Sequence, residues 1–433
     1  MTSFAVRRLQ VHLPSRTTGE LYQDGYGSTH WVPEPSWART QLPRLGLDFY
    51  RAPGRRQVAQ DLPPWFENLL PERESPLRAR LTAMFGLRDG QSLRLLEALG
   101  RELPGAVEVR PASEGSSNSE GSSRELENPV LQGTRRDPSP DEDHPPRPSS
   151  LAGIQLKASM SMVGDHLTFG VRSKAGSEWI VKFPGEHAEL SEVETATMTW
   201  AKQAGFDVPH HCTMPFDALQ ELPQGWVESS PTIFAIQRFD RRPDGTRVHH
   251  EDLCQALGFR PLDKYGDRPP HTIHYEGALK LVLDACGESS ARELARRLGF
   301  VIASGNTDAH LKNWGLLWGD RVRPDLTPCY DLVCTIAWER YGWQRQGGPR
   351  LALWFGTTHR FADIGEEMLN RFAASAQAPW AAEEIHAGIV AARDTLRWIR
   401  APVPQRMREA LVEHWKRVPL LRRFAPAGGV FAR

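Results

Sequence analysis

Asp308 and Asn313 stand five residues apart in the string Asn306-Thr307-Asp308-Ala309-His310-Leu311-Lys312-Asn313, and a second carboxylate follows at Asp331 in Tyr330-Asp331-Leu332. Phosphoryl transfer uses such a set. One Asp accepts the proton of an attacking hydroxyl, an Asn five residues on holds Mg²⁺, and a later Asp holds the metal that offsets phosphate charge. Taken alone, the Asp–Asn spacing equally suits a helix N-cap or a polar turn. Upstream residues add weight. Lys182 ends an apolar run, Trp179–Phe183, and Glu194 follows twelve residues later. That order matches a strand lysine and a helix glutamate whose ion pair positions nucleotide phosphates. No G-x-G-x-x-G precedes Lys182. The stretch from Ser149 to Ser159 offers one glycine, Gly153, with Lys157 and several hydroxyls. Backbone N–H groups near Gly153 and the Lys157 ammonium suit phosphate oxygens.

Elements must bring these residues together. Leu167–Val171 and Trp179–Phe183 read as two strands around a Lys-Ala-Gly-Ser turn. Glu189–Gly205 has helical spacing, with Val193, Ala196, Trp200 and Ala201 on one side. Pro231–Phe239 reads as an apolar strand, which completes a strand–strand–helix–strand order. Helical patterns follow over Glu251–Leu257, Tyr275–Cys286 and Ala291–Ala303, then short strands at Leu316–Trp318 and Leu326–Pro328 around a Gly319-Asp320 turn. From about Phe361 the chain reads as mostly helical.

The first 111 residues read as a small α/β unit. Ala5–Leu13 is a strand, with Gly19–Tyr22 as its hairpin partner. Trp65–Glu72 is a helix stopped by proline, Leu93–Leu99 a helix ended by Gly100, and Val107 and Val109 mark a strand. Nothing in this unit reads as catalytic; its expected role is docking or scaffolding. Residues 112–149 change character. A Ser/Gly/Glu tract and the acidic, proline-rich Asp137–Pro146 cannot bury enough apolar surface to offset the entropy of ordering, so a disordered linker is expected. The expected division is 1–111, the linker 112–149, a lobe over 150–245 and a helical lobe over 246–433.

Composition sets limits. The 433 residues carry 53 Lys+Arg against 53 Asp+Glu, so a globally basic coat for nucleic acid is not expected. The basic end around Trp415–Arg423 reads as a solvated helix face. The cysteines Cys212, Cys254, Cys286, Cys329 and Cys334 are odd in number and lack a C-x-x-C pair, which fits reduced thiols in the cytosol. His210-His211-Cys212 converges poorly on one ion, because adjacent strand residues face opposite ways. No signal-peptide core and no apolar run of about 18 residues is present, so a cytoplasmic protein without membrane partners is expected.

The sequence resembles the HipA family, the serine/threonine-kinase toxins of bacterial type II toxin–antitoxin modules. In the first unit the resemblance rests on Gly19-Glu20-Leu21, Phe66-Glu67-Asn68-Leu69-Leu70-Pro71 and Leu99–Val107. Further on it rests on Gly153, Gln155 and Lys157, on Lys182-Phe183-Pro184, Gln237–Arg242, Glu251–Gln255, Asn306–Asn313 and Tyr330-Asp331-Leu332.

It implies an α+β, bilobal protein-kinase-like fold with a small N-terminal α/β subdomain and a largely helical C-lobe. It implies Asp308 as catalytic base, Asn313 and Asp331 as Mg²⁺ ligands, and Lys182 as the phosphate anchor. Ala152, Gly153, Ile154, Gln155, Leu156 and Lys157 match the ATP-binding loop, and Gln237, Arg238 and Phe239 the hinge that holds adenine through backbone groups. Glu194, His310, Lys312 and Tyr330 complete the nucleotide-binding set. Ser150 matches a serine whose autophosphorylation switches the kinase off. The implied partners are a HipB-like helix-turn-helix antitoxin, operator DNA mainly through that antitoxin, and an aminoacyl-tRNA synthetase substrate whose phosphorylation arrests growth. Departures are few: Gln237 stands where an acidic residue is common, and Ala152-Gly153 where two glycines are. Two other readings compete: a small-molecule kinase of the aminoglycoside type, which shares the base, Asn and Asp, and a non-catalytic DNA-associated corepressor.

Overall fold

The computed structural model describes residues 7–14, 16–38, 45–88, 90–100, 102–112, 156–169, 177–183, 185, 189–222, 231–268, 271–319 and 322–425. Residues 113–149 of the expected linker, Ser150 and Ala152–Gln155 lie outside the described residues. Eleven strands form the first two sheets: β1 (Arg8–Leu13), β2 (Arg16–Gln23), β3 (Thr29–Pro33), β4 (Gln57–Ala59), β5 (Glu108–Pro111), β6 (Lys157–Val163), β7 (His166–Phe169), β8 (Trp179–Lys182), β9 (His211–Pro215), β10 (Leu219–Gln220) and β11 (Thr232–Gln237). The N-terminal sheet runs β4-β3-β2-β1-β5. Leu9, Val11 and Leu13 alternate inward along β1, as period 2 demands of a half-buried strand. Short helices cover this sheet: α1 (Pro35–Ala38), α2 (Leu47–Arg51), α3 (Pro64–Glu67), α4 (Pro76–Met84) and α5 (Ser92–Ala98). The helix expected over Trp65–Glu72 is only the single turn of α3. Asn68 closes it, and its side chain turns back to the Pro64 carbonyl.

The second sheet runs β10-β7-β6-β8-β11-β9. The hairpin expected between the strands at 167 and 179 is not there. β6 lies between them and pairs antiparallel with both. Of the stretch Ser149–Ser159 read as a phosphate loop, Lys157, Ala158 and Ser159 lie in strand β6, with Ala158 buried. Helix α6 (Leu190–Gln203) crosses one face.

The rest is mainly helical: α7 (Leu253–Ala256), α8 (Tyr275–Cys286), α9 (Glu288–Ser304), α10 (Glu366–Ser375), α11 (Ala381–Leu396), α12 (Gln405–Arg417) and α13 (Pro419–Arg422). Between them lie β12 (His249–Asp252), β13 (Asp267–Arg268), β14 (His271–Thr272), β15 (Gly315–Trp318), β16 (Asp325–Leu326), β17 (Arg350–Phe355) and β18 (Thr358–Arg360). The helix expected over Glu251–Leu257 begins two residues late. Glu251 and Asp252 pair with β15, and Asp252 caps α7 through a reciprocal bond with Gln255. The β17–β18 hairpin is unexpected; Arg350–Phe355 alternates, but its apolar residues also fit a helix.

Two apolar cores divide the second sheet between them. Val181, Ile233 and Ala235 join the N-terminal unit in one core. Phe234 and Ile236, one position over on β11, join α6 and the helical region in the other. Alternation along the strands therefore binds the second sheet to both neighbours at once.

Candidate functional site

Helix α9 ends where Gly305 adopts φ 64°, a left-handed C-cap that L side chains resist. A Cβ there would run into Ile336. The chain then turns sharply into Asn306–Asn313. Asn306 Oδ1 accepts from the Asp308 N–H (2.9 Å), and Thr307 N–H donates to Thr335 Oγ1 (2.6 Å). Tyr275 Oη and Trp314 Nε1 both donate to the Ala309 carbonyl (2.9 and 3.1 Å). The loop closes in a single 3-10 turn, Leu311–Asn313. Its polar backbone is thus satisfied from the surrounding helices, as buried irregular backbone requires.

Asp308 is largely buried, and its Oδ1 accepts from Tyr265 Oη at 3.1 Å. Asn313 Nδ2 donates to the Asp308 carbonyl at 2.7 Å. That bond fixes the amide and leaves Oδ1 as its acceptor face. Asp331 lies across a small cleft lined by Asn306, Asn313, Tyr330 and Asp331. Sheet register aligns Lys157, Lys182 and Phe234 across β6, β8 and β11. Both lysines reach Asp331: Lys182 to Oδ1, Lys157 to Oδ2 at 3.2 Å. Lys182 also pairs with Glu194 on α6.

The electrostatics follow from this sharing. Burial opposes ionisation of Asp331, but Lys157 and Lys182 outweigh it and hold the carboxyl well below its usual range. Burial likewise opposes the Lys182 charge, and Asp331 and Glu194 overcome it and raise the pKa. Burial pushes the Glu194 carboxyl up, because the ammonium it faces is divided with Asp331. Burial, then Lys264, lowers His310 well below the ordinary imidazole value. Neither His310 nitrogen has a hydrogen-bond partner among the described residues.

The cluster therefore gathers Lys157, Lys182, Glu194, Asp308, Asn313 and Asp331. A carboxylate and an amide oxygen facing one cleft are hard oxygen donors that suit Mg²⁺, and two lysines beside them suit phosphate oxygens. Other expected residues point elsewhere. Lys312 Nζ bonds Asp252 Oδ2 (2.9 Å) and Asn68 Oδ1 (2.8 Å), away from the cleft. Arg238 pairs with Asp240 and reaches the Leu103 carbonyl. The Gln237 and Arg238 N–H groups donate to His210 and Glu178 carbonyls, so adenine would need other hinge groups. Phe239 and Tyr330 face each other at 5.6 Å, and Leu156 is buried, its carbonyl accepting from Phe183 N–H. Tyr265 was not legible as a site residue: it lies 43 residues before Asp308, in a loop without any spacing signal.

The chain matches known proteins over most of its length. Residues 149–398 match the HipA-like C-terminal domain and residues 9–110 the HipA N-terminal domain. A protein of Sinorhizobium fredii named a candidate kinase, Y4dM, is 35% identical over 388 residues, 84% of each chain. A second from the same organism, Y4mE, is 26% identical over 86% of each. Among solved structures, HipA of the Shewanella oneidensis MR-1 toxin–antitoxin system, in complex with HipB and operator DNA, superposes with a TM-score of 0.69 at 22% identity, covering 95% of both chains. Both halves of this chain and the order of its elements thus have one counterpart, and the chain belongs to the HipA family.

Proposed function

We propose that this protein is an ATP-dependent serine/threonine kinase acting as the toxin of a HipA/HipB-type module. The observation that carries the reading is the charge chain Glu194–Lys182–Asp331–Lys157, whose Asp331 shares a cleft with Asn313, the residue bonded to the Asp308 carbonyl. MgATP, when bound, supplies the transferable phosphoryl group and a metal charge that offsets its oxygens. Asn313 and Asp331 would hold the metal, and Lys182 and Lys157 the phosphates. Asp308 accepts the proton of the attacking hydroxyl, and the Tyr265 hydroxyl orients its carboxylate. Glu194 keeps Lys182 extended toward the cleft.

The finer parts of the proposal rest on family membership. The substrate is a translation protein such as an aminoacyl-tRNA synthetase, and Ser150 is the self-inactivating phosphosite. The antitoxin is a HipB-like helix-turn-helix protein that brings the kinase to operator DNA; the Shewanella relative is in complex with HipB and operator DNA. No described helix is long and apolar enough to cross a membrane.

The test is transfer of label from γ-labelled ATP. Wild type is expected to label itself between Ser149 and Ser161, and Asp308→Ala to lose ~10²-fold or more of that rate. Equal labelling by the variant would overturn the assignment of the base.

A further inference from the structure

The N-terminal unit touches the catalytic loop through one turn, residues 68–72, which follows α3. Asn68 is 6% exposed and fully engaged. Its Nδ2 donates to the carbonyls of Phe259 (2.7 Å) and Pro64 (2.9 Å), so its Oδ1 is oriented toward Lys312 Nζ at 2.8 Å. Four residues on, Glu72 Oε1 pairs with Lys264 Nζ at 2.8 Å. Both lysines sit next to site residues. Lys312 precedes Asn313, and its carbonyl accepts from Tyr330 Oη at 3.0 Å. Lys264 precedes Tyr265, whose hydroxyl holds Asp308, and the Lys264 carbonyl accepts from the Leu311 N–H at 3.0 Å. One turn of the N-terminal unit therefore holds both backbone segments that carry the groups around Asp308.

We propose that Asn68, seconded by Glu72, is a positioning residue for phosphoryl transfer, so that the N-terminal unit is part of the catalytic apparatus and not only a docking scaffold. Asn68 touches no reacting atom. It acts through Lys312, whose other bonds go to Asp252, the cap of α7, at 2.9 Å and, at a long 3.4 Å, to the Asn68 carbonyl. If Asn68 lost its side chain, Lys312 would keep Asp252 and only the long bond to the residue-68 carbonyl, and the 3-10 turn carrying Asn313 would be held less firmly. Misplacement on the order of 1 Å at a reacting centre can cost ~10²-fold in rate. This inference rests on the kinase reading for its rate arm, but its structural arm does not.

The experiment compares full-length wild type with Asn68→Ala in two measurements. The first is amide hydrogen exchange of the nucleotide-free protein. The expected result is that peptides spanning 307–314 exchange at least ~10-fold faster in the variant, while peptides from α11 are unchanged. The second is steady-state labelling on folded protein. The expected result is a kcat lowered ~10-fold or more with the KM for ATP within ~2-fold, and no further loss when Asn68→Ala is added to Lys312→Ala. If Asn68→Ala does not fold, Glu72→Gln at the rim of the same turn is read in the same way through Lys264. Wild-type exchange and kcat in a soluble variant, or strict additivity with Lys312→Ala, would remove the positioning role. Absence of transfer by wild type would instead remove the kinase reading, and the exchange data would still decide whether the turn holds the loop.

Discussion

Asp331 adopts φ 55°, the left-handed region that an L-residue other than Gly or Asn enters at a cost of order 1 kcal/mol. The strain is held by what its carboxylate gains: Lys182 on one oxygen and Lys157 on the other. A neutral residue here leaves two neighbouring ammonium groups with Glu194 alone beside Lys182, and removes one of two hard oxygens offered to a cation. Asp331→Ala is therefore expected to raise the Mg²⁺ concentration for half-maximal labelling by ~10-fold or more, since even indirect ligand supports are worth that much. A Mg²⁺ titration of the variant that overlays wild type would mean that Asp331 is a turn residue held by lysines and nothing more. Tyr265 and His310 show the limit of reading residues singly. Each is an ordinary loop residue by type, and only its neighbours give it meaning.

Among the described elements, α9 and α11 make the most extensive helix–helix contact. Gly299 on α9 and Gly388 on α11 face each other. A Cβ on Gly388 would run into the Arg296 carbonyl, and one on Gly299 into the Ile385 carbonyl. In an isolated helix, alanine at either place would gain about 1 kcal/mol over glycine. Here forcing a methyl against backbone costs about 1–3 kcal/mol, because neither helix can retreat without opening the core between them. Gly388→Ala is expected to lower the denaturant midpoint with an unchanged m-value. A raised midpoint would show that propensity wins and that the crossing is loose. This pair matters to the site because α9 delivers Gly305 and the catalytic turn from its C-terminal end.

Across the whole molecule, the N-terminal unit and the helical region meet over a buried carboxyl. Glu251 on β12 is fully buried and accepts from Leu47 N–H (2.8 Å) and Trp65 Nε1 (2.9 Å). Burial pushes its pKa up to about 8 from 4.5. The folded protein thus retains a proton that the unfolded chain releases above pH 4.5. Stability from this group is full below 4.5 and is lost as pH rises toward 8. Melting temperatures measured from pH 5 to 8.5 are expected to fall with pH in wild type. Glu251→Gln should start lower, because its amide NH₂ must face one N–H donor, but should show a flatter slope over the same window. An equal slope in the two proteins would place the pH dependence elsewhere. The same junction carries Asn68 and Glu72, so the contacts that join the units also reach the catalytic loop.

The sequence by itself determined the chemistry and much of the local structure. The Asp308–Asn313 spacing, the Lys182-to-Glu194 interval and the later Asp331 are patterns within short segments, and helices such as Tyr275–Cys286 follow from periodic apolar positions. The family, too, was legible in strings such as Gln237–Arg242 and Asn306–Asn313. Only the tertiary structure decided which strands are neighbours. β6 separates β7 from β8 because pairing is settled by burial on both faces of a sheet, which no local pattern encodes. It also decided that Lys312 and Arg238, polar residues in site motifs, turn to the N-terminal unit instead of the cleft. A charged side chain takes whichever partner lies near in a low-dielectric interior. Asp252 and Asn68 lie 60 and 244 residues away from Lys312 along the chain, and such distances close only when the whole chain has folded.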